Sequence, residues 1–237
     1  MTAFETIRAR AARRKGGEDV LASLLPAVPD RSALATVTDD RVLAEMTKRV
    51  FCAGFVWGVI EKKWPGFEEA FLGFVPQALS FQPDEFWHDL ARDGRIVKNP
   101  QKIKSVRDNA AFVTAIAKEH GSFGMFLSQW PADEQVGLLD VLAKRGARLG
   151  GKTGQYFLRF IGWDGFVTSQ DMVAALRDAG LDVAPDPTSK ADLKKVQAQV
   201  NAYAAETGLP RTHISRILAF SVGENYPVER LEALMGE

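Results

Sequence analysis

The strongest constraint on the fold of this chain is its hydrophobic spacing. Stretches of alternating apolar and polar residues, the pattern of a half-buried strand, are hard to find, while helical spacing recurs from end to end. Thr38 and Asp39 stand as capping candidates before "TDDRVLAEMTKRVFCAGFVWGVIEKKW", which runs apolar on nearly all sides through Val50, Phe51, Ala53, Phe55, Val56, Trp57, Val59 and Ile60. A helix apolar all round belongs in the middle of a core, and Pro65 is expected to end it or to begin the next. "PGFEEAFLGF" and "PDEFWHDLARDG" read as short helices opened by proline. "NPQKIKSVRDNAAFVTAIAKEHG" reads as a longer amphipathic helix with Gly121 as its C-cap. "PADEQVGLLDVLAKRG" follows, then "TSQDMVAALRDAG" with Thr168 or Ser169 as cap. A proline-containing connection at 183–190 leads to two last helices, "SKADLKKVQAQVNAYAAETG" and "PRTHISRILAFSVG". The expectation is an all-α fold of about a dozen short helices, without internal repeats.

The chain has 237 residues, room for one large domain or two small ones. Lysine plus arginine balances aspartate plus glutamate at 30 each, so total charge does not point to nucleic acid. The distribution says more. Residues 141–163 carry Lys144, Arg145, Arg148, Lys152 and Arg159 without an acid, and residues 92–107 carry six basic residues against Asp93 alone. Two such patches create a local positive field, or are two solvated helix faces. The single cysteine, Cys52, excludes a disulfide framework. With His88, His120 and His213 scattered, no compact Cys/His metal cluster can be drawn. No signal peptide is visible, and no apolar run approaches the ~20 residues that span a bilayer. The chain is expected to be cytoplasmic, with no membrane partner.

The stretch "LAKRGARLGGKTGQYFLRF" reads helix, tight turn, helix. Gly150 and Gly151 permit positive φ or a close backbone approach, Lys152 and Thr153 open the second helix, and Tyr156, Phe157 and Phe160 form its apolar face. The string "GARLGGKT" matches a phosphate-binding loop, but the residues before it have helical rather than strand spacing. A helix–hairpin–helix fits better: amides at a helix N-terminus, helped by the helix dipole, hold a DNA phosphate. The plain alternative is a corner whose glycines only cap.

Three further stretches bear on the choice. "AGFVWGVIEKKWPGFEEAF", then "IVKNPQKIKSVRDNA" and "GSFGMFLSQW", resemble the 3-methyladenine DNA glycosylase I family, within the helix–hairpin–helix DNA glycosylase superfamily. The resemblance covers about residues 38–175, and "KRGARLGGKTGQYF" falls where that family has its hairpin. On it the chain is one glycosylase-like unit over 1–237. Residues 1–37 form divergent N-terminal helices, 38–182 a family-like core with the hairpin at 144–162, and 183–237 C-terminal helices packing on that core. The resemblance implies a monofunctional DNA repair glycosylase that needs no cofactor or metal. It would act as a monomer on double-stranded DNA, associate with the nucleoid when bound, flip out a damaged, alkylated purine and hydrolyse its N-glycosidic bond. The alternative is a non-catalytic helix–hairpin–helix DNA-binding protein.

The site residues follow from the same resemblance. Trp57 matches the family's pocket tryptophan, whose ring would stack on a cationic base; Phe51, Phe55 and Tyr156 would line the cavity, or simply pack the core. Asp171 in "VTSQDMV", 19 residues beyond Lys152, stands where the superfamily keeps a catalytic aspartate; in a first helical turn it could equally complement the dipole. Gly150, Gly151, Lys152 and Thr153 would hold a phosphate, with Lys98 and Lys102 beside the DNA backbone. Two departures stand out. Arg49 occupies the position of the family's base-contacting glutamate, and the family's zinc ligands are missing.

Overall fold

The computed structural model describes residues 2–229. Among these residues every regular element is a helix, as the spacing implied. In chain order they are α1 (Ala3–Lys15), α2 (Glu18–Ser23), α3 (Arg31–Leu34), α4 (Asp39–Cys52), α5 (Trp57–Ala70), a 3-10 turn (Leu72–Phe74), α6 (Pro76–Ser80), α7 (Asp84–Leu90), α8 (Pro100–His120), α9 (Phe123–Gln129), α10 (Gln135–Arg145), α11 (Gly151–Phe160), α12 (Gln170–Asp178), α13 (Lys190–Thr207) and α14 (Arg211–Phe220). They fall into two compact units. One comprises residues 2–29, 132–136 and 164–229; the other comprises 30–131 and 137–163. No helix among the described residues is long and apolar enough to cross a membrane.

The unit of 30–131 and 137–163 is built on α4 packed against α8. Val42, Met46 and Val50 repeat every four residues along α4 and are buried beside Leu43 and Phe51, the stripe a core-facing helix requires. Phe67, Phe71, Phe74, Phe123 and Phe157 complete an aromatic core, with Trp64 stacked 5.4 Å from both Phe67 and Phe74. Burying one such ring contributes roughly 1.5–3 kcal/mol.

The helix expected to continue through residues 38–64 is instead two. It breaks after Cys52; Gly54 takes φ 69°, and Phe55 and Val56 face solvent. The all-round apolar pattern belongs partly to an exposed turn and not to a central core helix. Pro65, expected to end a helix, lies inside α5. It sits on the exposed face, where water can take up the carbonyl that its missing N–H leaves unbonded.

The other unit has its own core, with Phe4, Leu21, Phe166, Met172, Leu176, Val200, Ile214 and Leu218 buried among α1, α2, α12, α13 and α14. Its loops are tied by polar side chains. The Gln135 amide donates to the Phe166 carbonyl and accepts from the Phe166 N–H, both at 2.8 Å. Asp164 caps α14 by accepting from the Arg211 and Thr212 amides. Ser169 and Ser189 cap α12 and α13 through their hydroxyls. Arg14 on α1 holds the carbonyls of Phe220, Val222 and Gly223.

Candidate functional site

The glycine stretch forms a tight turn at 146–150 between α10 and α11. A helix precedes it where a phosphate-binding loop would need a strand, so the match of "GARLGGKT" to that motif is coincidental. Three devices shape the turn. Arg148 and Gly151 take left-handed φ values of 60° and 58°. The fully buried Asn109 of α8 donates from Nδ2 to the Ala147 carbonyl at 3.1 Å and accepts from the Ala147 N–H at 2.7 Å. Gly154 lets α11 approach the turn so closely that an added Cβ would lie 2.4 Å from the Leu149 carbonyl oxygen. The result is a helix N-terminus capped by Gly150 with no side-chain hydrogen bond. Gly150, Gly151 and Lys152 are exposed there and Thr153 is half-buried. The first-turn amides, which no capping side chain covers, and the positive end of the dipole make that surface suited to an anion.

The same helix carries the aromatic part of the site. Tyr156 and Phe160, four residues apart, fall on one face of α11. Trp57, the first residue of α5, meets both edge-on, with ring centroids at 5.4 Å from Tyr156 and 5.7 Å from Phe160. Trp57 and Tyr156 are half-buried, and Phe160 is 42% exposed.

Arg49 of α4 enters this cluster. Its guanidinium carbon lies 3.9 Å from the Phe160 ring centroid and 4.9 Å from that of Trp57, and the residue is only 3% exposed. Nε is 2.7 Å from Glu45 Oε1 and Nη2 is 3.9 Å from Glu61 Oε1, while Glu61 also receives Lys48 at 2.6 Å. Nε meets Glu45 as an ion pair without hydrogen-bond geometry, and Nη1 has neither an ion-pair nor a hydrogen-bond partner. Burial pushes the Glu45 carboxyl upward from the ordinary carboxylate range, and the nearby Arg49 and Lys48 charges oppose that rise. Sequence reading named Arg49 only as a departure and left Phe160 out of the site. The four-residue step from Tyr156 to Phe160 was the available signal.

The structure thus brings together Trp57, Tyr156 and the turn of Gly150–Thr153, and separates out other expected members. Phe51 is fully buried in the core, edge-on to Phe67, and does not line an accessible cavity. Phe55 sits 44% exposed on the turn after α4. Lys98 is exposed, as a backbone contact would require. Lys102 is not: at 9% exposure its Nζ donates to the carbonyls of Phe51 and Ala53, closing the C-terminal end of α4. Burial, and then the Arg148 charge, lower its pKa. The basic patches are also less free than their composition implied. Arg95 pairs with Asp93, Lys104 with Asp108, Arg107 with Asp84, Lys144 with Asp140, and Arg145 with Glu119. Asp171 belongs to the other unit, in the first turn of α12 behind the Ser169 cap. It is half-buried against Gly223, where an added Cβ would lie 2.2 Å from Oδ1.

Comparison with known proteins bears on this geometry. Residues 33–139, somewhat under half of the chain, match the methyladenine glycosylase family. Among solved structures, the chain is similar to 3-methyladenine DNA glycosylase I from Staphylococcus aureus at 22% identity, covering 53% of this chain and 77% of that one, with a TM-score of 0.48. A Tyr-to-Phe variant of 3-methyladenine DNA glycosylase I in complex with 3-methyladenine gives 23% identity, 53% and 77% coverage and a TM-score of 0.48. Another 3-methyladenine DNA glycosylase I gives 20%, 59%, 82% and 0.47. The sequence match is therefore partial: through residues 33–139 the chain is similar to the methyladenine glycosylase family.

Proposed function

We propose that the protein is a DNA repair N-glycosylase that extrudes a damaged purine from duplex DNA and hydrolyses its N-glycosidic bond, working as a monomer. One observation carries the reading beyond the sequence match. A single ten-residue helix, α11, has an N-terminus without a side-chain cap and, on its side, the two rings that flank Trp57. At 1.5 Å per residue, Gly151 and Tyr156 are about 8 Å apart along the axis. A backbone phosphate held at the turn would therefore keep the neighbouring nucleotide within reach of the rings. Stacking on Trp57 would repay part of the few kcal/mol that extrusion costs.

In the chemical step, water adds to the sugar carbon as the bond to the base breaks, and the bonding electron pair leaves with the base. An alkylated purine, the family's substrate class, departs readily because it carries positive charge. Asp171 is the proposed carboxylate that stabilises the electron-poor sugar or takes the proton of the water. One observation favours a non-catalytic DNA-binding protein instead: the Arg49 guanidinium already lies on the Trp57 and Phe160 rings.

The test is base release from duplexes that each carry one alkylated or deaminated base, read as strand cleavage after hot alkali. Release by the wild type, lost in Asp171→Asn and Trp57→Ala proteins that melt normally, supports the enzyme. Salt-sensitive binding without release from any lesion, at high protein concentration, leaves the binding reading in its place.

A further inference from the structure

Arg49 is a charged side chain, 97% removed from solvent, with one nitrogen unpaired and its flat face on two aromatic rings of the candidate base site. A buried donor without a partner is costly, and native structures seldom leave one without a use. A guanidinium offers only donors and no acceptor.

We infer that Arg49 sets the base specificity of the Trp57 cage, turning it away from cationic bases and towards a neutral 6-oxopurine. This rests on the glycosylase reading for what the cage is used for. Aromatic faces attract a cation, but here the protein supplies the cation itself, and a positively charged base entering the cluster would meet a like charge already lying on its rings. The counter-charges do not change this. Glu45 lies against Nε and Glu61 against Nη2, with Glu61 shared by Lys48. The edge that includes Nη1 remains donor-only. Its natural complement is a pair of adjacent acceptors, and a carbonyl oxygen beside a ring nitrogen, as on the O6/N7 edge of a 6-oxopurine, is the pair that arginine binds in a forked geometry. The class comprises deaminated adenine and neutral guanine derivatives whose N7 is unprotonated and unsubstituted.

The test uses the full chain and two free bases, hypoxanthine and a 3,9-dialkylated adeninium that stays cationic at neutral pH, titrated by calorimetry or ligand-observed NMR. The wild type is expected to bind hypoxanthine at least about tenfold more tightly, the scale of one charge–charge contact in a partly buried site. Arg49→Gln is expected to abolish the preference, and Arg49→Glu to reverse it. Melting curves establish that each variant is folded, and Arg49→Gln, which adds no charge, keeps the test open if Arg49→Glu does not fold. Equal or tighter binding of the cation by the wild type overturns the inference. So does a folded Arg49→Gln protein that keeps the preference, or a wild type that binds neither base. Because these readouts need neither DNA nor hydrolysis, a wild type that releases bases from duplexes while preferring the cation removes the inference and leaves the glycosylase standing. The converse result, a hypoxanthine preference without base release, does the opposite.

Discussion

Asn109→Ala should loosen the whole candidate site from a position that touches no ligand. The Asn109 side chain is fully buried, and its two hydrogen bonds to Ala147, at 3.1 and 2.7 Å, form the buried polar link between α8 and the turn before α11, beside an exposed one from Arg148 to Gln101. Each such bond contributes about 0.5–1.5 kcal/mol net, and truncation also leaves the Ala147 backbone groups short of partners. The half-buried position of Ala147 lets water recover part of that loss, so the expected destabilisation is about 2–3 kcal/mol. In a chain of this size each kcal/mol moves Tm by about 2–4 °C, so a fall of about 5–10 °C follows. Intrinsic fluorescence is the suitable assay. All five tryptophans, residues 57, 64, 87, 130 and 163, lie in the unit that contains the turn, so the signal reports that unit alone. Urea titration gives the energy, and DNA binding at matched folded fraction should weaken, because the amides of Gly151–Thr153 are no longer held in place. Asn109→Asp keeps the acceptor for the Ala147 N–H but sets a carboxylate against the Ala147 carbonyl, so it should fare no better than alanine. A stability within about 0.5 kcal/mol of wild type for Asn109→Ala would refute the claim that this contact braces the turn.

Gly154→Ala should cost more than about 2 kcal/mol and abolish salt-sensitive DNA binding, since its methyl group would stand 2.4 Å from a backbone oxygen that cannot move without opening the turn; a mutant melting like wild type would contradict the close approach. Lys102 is held below the ordinary lysine value of 10.5, first by burial and then by Arg148. Between its lowered folded pKa and 10.5 the unfolded chain binds the proton and the native one does not, so stability rises with pH there. A Lys102→Met protein should lack that rise in its Tm–pH profile. It should also be about 2 kcal/mol less stable at pH 7 through loss of the two carbonyl contacts. Cys52 is buried and its thiol is pushed up by that burial, so a thiol reagent should label it only after unfolding; rapid labelling of the native protein would show that the end of α4 opens readily.

Much of this protein could be read without coordinates. Helical spacing and cap chemistry are local, because they depend on residues three or four apart and on one hydroxyl next to a helix start. Ser169 and Gly121 therefore cap their helices as expected. The turn before α11 was legible for the same reason, since its glycines announce both the break and the close approach. What sequence could not decide was every matter of which side chain meets which. A lysine in a basic run looks the same whether it faces water or, like Lys102, turns inward to two carbonyls. An apolar run looks the same whether it is one buried helix or two helices about an exposed turn. Arg49 is the sharpest case. Its sequence position gave a departure from a family pattern, but only the approach of α4, α5 and α11 laid its charge on Trp57 and Phe160 with one nitrogen unpaired. Local periodicity determines which elements form, because it acts over one turn of chain. What a buried charge meets is fixed by the packing of separate helices, as when Arg49 lies on Phe160 or Lys102 reaches Phe51, which the order of residues does not by itself express.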